Sequence, residues 1–218
     1  LMSVELKKYI TVVLSGEGAD EILGGYGRIF RSPYDFERMK ALDTLDLSEN
    51  EKREFSKKFI KKYLRDSFGS EIEHFMSIYS YTGFEDKKEL LNKGLPLDEI
   101  ESELISKLMG YFDEIGDESY YNKMMYTFEK VHLVGLLHRV DTATMAASVE
   151  ARVPFVDHRV VEFAFTIPLK YKLKWASENS KSESKLLMSS DISEEFDIPK
   201  YILKKSYEDM IPAEILYR

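Results

Sequence analysis

The sequence predicts a predominantly helical protein that carries a small parallel β remnant. Three observations predict it. A single β-branched run, Thr11-Val12-Val13-Leu14, is followed by a Gly-rich turn and a helix start, and it is the only α/β signal in the chain. Beyond residue 48, apolar side chains recur at helical spacing over most of the length. Helix-start chemistry also recurs, in Ser48-Glu49-Asn50-Glu51 and at Pro199 and Pro212.

The elements follow in order. Residues 2–9 read as the end of a helix, and Leu1 falls inside an amphipathic pattern, as if cut from something longer. Residues 11–14 read as a buried parallel strand, which would need neighbouring strands from before this chain. Residues 15–18 form a tight turn, and the helix from Ala19 should stop at Gly24-Gly25. Residues 32–46, with Pro33, are predicted to be irregular. The Ser48-Glu51 capping box opens a helix with Phe55, Phe59, Tyr63 and Leu64 on one stripe. Ile72, Phe75, Met76 and Tyr79 repeat that spacing. Short helices are expected over 86–91 and 98–109, with Gly94 and Gly110 as stops. Residues 117–139 read as one long helix buried on several sides. The small residues of 143–149 allow close backbone approach. Asp157 can cap a helix that ends at Pro168. Residues 177–193, rich in serine, read as a surface loop with a short helix. Pro199 and Pro212 each read as the first residue of a helix. There is no internal repeat.

Composition narrows the classes. With 218 residues and an ordinary apolar share, a sizeable core is available and wholesale disorder is excluded. The net charge of −8 argues against nucleic acid as a partner. Interleaved charges such as Glu49, Lys52, Arg53, Glu54 and Lys57 read as solvated helix faces. There is no cysteine, so disulfides, thiol nucleophiles and Cys-bound metals are excluded, in keeping with a reducing cytoplasm. His74, His132, His138 and His158 lack metal-site spacing and read as ordinary helix residues. No apolar run reaches membrane-spanning length, so no membrane is expected.

Chemistry concentrates in Ser15-Gly16-Glu17-Gly18-Ala19-Asp20-Glu21. A loop at the carboxyl end of a parallel strand is where α/β sheets bind ligands. Two glycines let backbone approach a ligand, and the helix start offers unpaired N–H groups. Three acids oppose a plain phosphate cradle. They suit a site that handles an amine, binds a metal or needs a proton acceptor. The alternative is that Asp20 and Glu21 only favour the helix dipole and that Glu17 is simply exposed.

This block, followed by Gly24-Gly25-Tyr26, resembles a signature of the asparagine synthetase family. Residues 139–157, containing Met145-Ala146-Ala147-Ser148-Val149-Glu150-Ala151-Arg152-Val153-Pro154-Phe155-Val156-Asp157, resemble a second family block. Ile202-Leu203-Lys204-Lys205 through Ile211-Pro212-Ala213-Glu214-Ile215 to Arg218 is a weaker third. The resemblance implies an α/β adenine-nucleotide α-hydrolase-like synthetase domain. Its implied division is 1–32 as the strand–turn–helix part of the nucleotide site, 33–116 as a helical module or insertion, and 117–218 as the helical C-terminal part.

The same resemblance implies ATP-dependent amidation of aspartate through β-aspartyl-AMP. Ammonia would come from a glutaminase domain not found in this chain, ATP with Mg2+ would be used, and the complete enzyme could be a homodimer in the cytoplasm. Ser15, Gly16 and Gly18 then match the turn at the adenylate. Glu17 matches the acid tied to acyl-adenylate formation and ammonia attack, and Asp20 a second active-site acid. Related β-lactam synthetases carry Tyr where this chain has Glu17. Asp141 either faces the site or caps a helix. Glu150 and Arg152 read as a partly buried ion pair in a strand or turn, and Tyr26 as packing. The family's pyrophosphatase loop and late lysine have no match in these residues, so the isolated chain is expected not to turn over. The alternatives are amidation of another carboxylate, a β-lactam or peptide cyclase, and a non-catalytic helical interaction module.

Overall fold

The chain enters through α1 (Met2–Leu6) and β1 (Val12–Leu14), turns, and continues as α2 (Ala19–Leu23), α3 (Gly27–Phe30) and α4 (Ser32–Lys40). The computed structural model describes residues 2–91, 94–193 and 195–217, so Leu1 and Arg218 lie outside the described residues. Gly24 ends α2 as read: it adopts φ 73°, a left-handed conformation that glycine takes without strain, and its N–H returns to the Asp20 carbonyl. The stretch expected to be irregular is instead α4. Pro33 stands in its first turn, where a missing N–H breaks no helical bond.

Four helices form the middle of the chain: α5 (Glu49–Tyr63), α6 (Glu71–Tyr79), α7 (Phe84–Leu90) and α8 (Leu97–Glu114). The capping box forms in full. The Ser48 side chain accepts the Glu51 N–H, and the Glu51 carboxylate accepts the Ser48 N–H at 2.8 Å. Phe55, Phe59 and Tyr63 are buried, but Leu64 leaves the stripe. It ends the helix at φ 56° and stays exposed. Gly110 does not stop α8. Glycine costs a helix only about 1 kcal/mol, and the burial of Leu108 and Phe112 on either side of it offsets that.

The long helix expected from 117 is α9 (Tyr120–Phe128), a π-turn (Glu129–Leu133) and α10 (Val134–Met145). Burial on several sides holds only before the break. Met124, Met125 and Phe128 are buried, whereas Val134 is 60 % exposed. The wider π-turn shifts the register of the faces at that point.

The remainder is β2 (Glu150–Arg152), α11 (His158–Thr166), α12 (Leu169–Lys172), β3 (Leu173–Trp175), α13 (Ser180–Glu183), α14 (Ser189–Ile192), β4 (Asp197–Pro199), α15 (Tyr201–Ser206) and α16 (Ala213–Leu216). Strand β1 pairs in parallel with β2, from far downstream, in the register Val12–Glu150, Val13–Ala151 and Leu14–Arg152. It is not buried as read, since Val12 and Leu14 are exposed and β2 is its one neighbour among the described residues. Strands β3 and β4 form an antiparallel pair that the sequence reading did not anticipate. Pro199 therefore ends a strand, and the helix begins after Lys200, which takes φ 52°. The serine-rich segment carries the expected short helix, α13, and exposed stretches, but it is also anchored in the interior. Ser180, Ser184, Ser189 and Ser193 are buried, and hydroxyls such as Ser184 Oγ bond to backbone carbonyls.

One aromatic core joins both flanks to the middle. Phe30 and Phe36 meet Phe75 and Phe112, and then Met124, Phe128 and Leu173. A second cluster packs Phe55, Phe59 and Tyr63 on Met188. A third, of Ile22, Leu23 and Ala164, seats α2 on α11 and so fixes the turn before it. No described helix is long and apolar enough to cross a membrane.

Candidate functional site

The turn leaves β1 beside the end of β2. The Ser15 N–H donates to the Arg152 carbonyl at 2.8 Å, and the Glu150 N–H donates to the Thr11 carbonyl at 2.8 Å, so the parallel pair is clamped at both ends. Two glycines then play different roles. Gly18 takes φ 95°, and a Cβ there would stand 2.6 Å from Val156 Cγ2. It needs glycine for both conformation and space. Gly16 has nothing within 4 Å of where a Cβ would be. The side of the turn at Gly16 is open.

The donors of this turn are uncommitted. The N–H groups of Gly16, Glu17 and Gly18 find no backbone acceptor among the described residues, and the Ser15 hydroxyl makes no hydrogen bond there. Successive N–H groups left this way form a concavity suited to an anion. The Glu17 carboxylate is half-buried and makes no ion pair or hydrogen bond among the described residues. The turn thus combines donors that fit an adenylate phosphate with an acceptor that fits a proton.

The other predicted residues differ. Asp20 is already engaged: its Oδ1 lies 2.8 Å from Lys200 Nζ, and its carbonyl accepts the Gly25 N–H at 2.7 Å. A Cβ on Gly25 would fall 1.8 Å from Asp20 Oδ1, so Gly25 is small to let that aspartate in. Asp141 lies inside α10 and is exposed. It caps nothing, which corrects the capping alternative, and no hydrogen bond or ion pair joins it to the turn among the described residues. Glu150 and Arg152 do pair at 2.6 Å, but as exposed rather than partly buried side chains.

Behind the turn lies a charged interior that the sequence reading missed. Glu21 is 1 % exposed and accepts the Tyr26 hydroxyl at 2.7 Å. Burial and that carboxylate raise the Tyr26 pKa, so Tyr26 remains a donor. Its ring packs on Phe30, Phe128 and His132, in line with the packing reading. Lys172 is buried, and burial pushes its ammonium pKa down. Glu129, at the start of the π-turn, is pushed up to about 8 by burial, with Lys172 opposing and Glu21 adding. The π-turn carries no sequence mark, and Lys200 was hidden because strand β4 was read as a helix start.

Among the described residues no group of three or more His, Cys, Asp or Glu side chains could hold a metal ion by itself.

The asparagine synthase family model matches residues 1–218. The chain is 30 % identical over 227 residues to asparagine synthetase (glutamine-hydrolyzing) 1 of Bacillus subtilis (strain 168), with 98 % of this chain and 30 % of that protein covered. It is 29 % identical over 214 residues to asparagine synthetase (glutamine-hydrolyzing) 3 of the same organism, covering 98 % of this chain and 26 % of that protein. A putative asparagine synthetase (glutamine-hydrolyzing) 1 of Methanocaldococcus jannaschii is 36 % identical over 80 residues, 37 % of this chain and 15 % of that protein. The chain therefore spans between a quarter and a third of the length of the two Bacillus relatives. No solved structure matches it.

Proposed function

The chain belongs to the asparagine synthase family, and from that premise we propose that its Ser15–Asp20 turn is part of a site where aspartate is amidated to asparagine at the expense of ATP. In this reading ATP supplies the adenylyl group that activates the aspartate side-chain carboxylate, with pyrophosphate leaving. Ammonia then attacks the acyl carbon of β-aspartyl-AMP, AMP leaves with its electron pair, and one proton must be removed from the nitrogen. The relatives' names, asparagine synthetase and glutamine-hydrolyzing, support aspartate as the substrate and a glutaminase domain as the ammonia source.

The observation that carries the reading is the uncommitted Glu17 carboxylate beside three uncommitted N–H groups. The N–H groups of Gly16, Glu17 and Gly18, with the Ser15 hydroxyl, would hold the adenylate phosphate. Glu17 would take the proton from the attacking nitrogen. Asp20, tied to Lys200, would orient the turn from behind. Asp141 enters as a further acid by family resemblance alone. The adenine-nucleotide α-hydrolase-like fold belongs to the same proposal, as does the division into 1–32, 33–116 and 117–218. The middle helices read as scaffold, because Phe55, Phe59 and Phe75 are consumed in internal cores that also take in residues of the flanks.

Glu17→Gln in the complete gene product tests the reading. AMP formation from aspartate, ATP and ammonia should drop by about 10²-fold or more, the usual contribution of a positioned proton acceptor, with the fold unchanged. Undiminished AMP formation would remove Glu17 from the chemistry. No AMP from the unaltered protein would point to a different carboxylate, which a substrate screen would identify.

A further inference from the structure

A π-turn inserts one residue into the helical hydrogen-bond ladder and turns its side chains out of ordinary register. Here the first residue so placed is Glu129, in a segment that packs against α2. Its carboxylate makes no ion pair or hydrogen bond among the described residues. Across from it is Lys172, the last residue of α12, which is 4 % exposed and has no carboxylate within ion-pair distance among the described residues. The recorded neighbour of the Lys172 ammonium is the Phe165 ring, 5.7 Å away. The stem of Lys172 packs on the end of α2: a Cβ on Gly24 would lie 3.6 Å from Lys172 Cβ. Glu21, on α2 itself, faces the same interior. A carboxyl group and an ammonium thus flank one short helix without touching each other.

The geometry points to Glu129 as a positioning residue that, with Lys172, brackets α2 and sets where the Glu17–Asp20 turn sits. This inference rests on the synthetase reading of that turn. The groups facing Glu129 are Glu21 from α2 and Lys172 from α12, with Lys130 beside it on its own turn. Close by, Tyr26 is bonded to Glu21 and touched by His132, and Asp20 is bonded to Lys200. Burial, opposed by Lys172 and Lys130 and reinforced by Glu21, keeps the Glu129 carboxyl protonated up to a pH of about 8. Above it, the interior gains a negative charge, Lys172 is drawn toward Glu129 and off Gly24, and α2 loses one side of its support.

The test compares the unaltered complete gene product with Glu129→Gln and Glu129→Asp from pH 6.5 to 9.5. Amide hydrogen exchange of residues 15–23, corrected for intrinsic rates, is read beside kcat and KM for ATP. The unaltered protein should lose protection in 15–23 and lose kcat above pH 8. Glu129→Gln should keep both, with kcat at pH 9 within about twofold of its pH 7 value, while Glu129→Asp should restore a titration at a shifted pH. The inference is overturned if Glu129→Gln shows the same alkaline loss of protection as the unaltered protein. It is also overturned if both variants lose protection equally at every pH, since that is a packing defect. Absence of AMP from the unaltered protein would sink the synthetase reading alone, and the exchange profiles would still decide the role of Glu129.

Discussion

Two buried charged regions of this molecule are built on opposite plans. Around Asp35 every group is matched. Its carboxylate accepts from Lys62 Nζ at 2.9 Å, from Arg38 at 2.8 Å, from the Tyr63 hydroxyl at 2.8 Å and from the Ser189 N–H at 2.9 Å. Burial alone would raise the Asp35 pKa, but Lys62 and Arg38 overcome it and hold the carboxyl low. Around Glu129 and Lys172 the two groups make no ion pair or hydrogen bond among the described residues, and burial raises the pKa of the Glu129 carboxyl. The matched region pins α4, α5 and α14 together and includes no residue of the turn. The unmatched one lies directly behind it. A saturated network resists rearrangement, whereas an unsaturated one can change its charge state at little structural cost. The difference separates a group that holds shape from groups poised to respond.

The comparison can be broken most forcefully at Asp35. Asp35→Ala takes the acceptor from the Tyr63 hydroxyl and the Ser189 N–H and the counter-charge from Arg38 and Lys62, and should cost about 3–5 kcal/mol in urea unfolding. A cost below about 1 kcal/mol would show that the network is decorative. Next comes the turn itself. Gly18→Ala forces a Cβ into φ 95° and against Val156, and should cost about 1–3 kcal/mol. Gly16→Ala should leave stability within about 0.5 kcal/mol, so equal losses would contradict the open side of the turn.

His74 sharpens the contrast, because it borders the matched network yet is not fully satisfied. Its Nδ1 lies 2.6 Å from the Tyr120 hydroxyl, while its Nε2 is buried without a partner among the described residues. Burial pushes its pKa down to about 3 from 6.5. The unfolded chain therefore binds the proton first, and stability is full above pH 6.5 and falls as the pH drops toward 3. The loss should approach about 1.4 kcal/mol per pH unit within that window. His74→Phe should remove that slope, whatever constant offset it adds, and an unchanged slope in urea titrations from pH 7 to 4 would refute the assignment. A small effect is also expected at Lys172. Lys172→Met keeps the stem, removes a desolvated charge, and should shift stability by less than about 1 kcal/mol in either direction. A loss comparable to that of Asp35→Ala would erase the distinction between the two regions.

What could be read in advance was local. Thr11-Val12-Val13-Leu14 before two glycines, the Ser48-Glu51 capping box, and Asp157 ahead of α11, whose side chain accepts the Arg159 N–H, each specify their conformation within a few residues. The turn residues Ser15, Gly16, Glu17, Gly18 and Asp20 were legible for the same reason. What was missed depends on distant parts of the chain. Glu150-Ala151-Arg152, read as a strand or a turn, is fixed as a strand only because β1 is there to pair with it. Pro199 ends a strand because Leu173 lies opposite. Ser184 and Ser189 are buried because Arg38 and Asp35 reach into that segment and bond its backbone. Lys200 meets Asp20 only after β4 is in place, and the π-turn that displaces Glu129 leaves no trace in spacing.

The pairing of residue 12 with residue 150 sets the order of events in folding. Closing that loop is entropically expensive, and a parallel pair this short returns little until the intervening helices have condensed. The Ser15 N–H finds the Arg152 carbonyl only at the end of that process. The geometry of the turn is therefore a late event that reports on the assembly of nearly the whole middle of the chain. Sequence changes between residues 33 and 116 that destabilise the packed helices will lower the fraction of molecules with a formed site, without altering any residue in it.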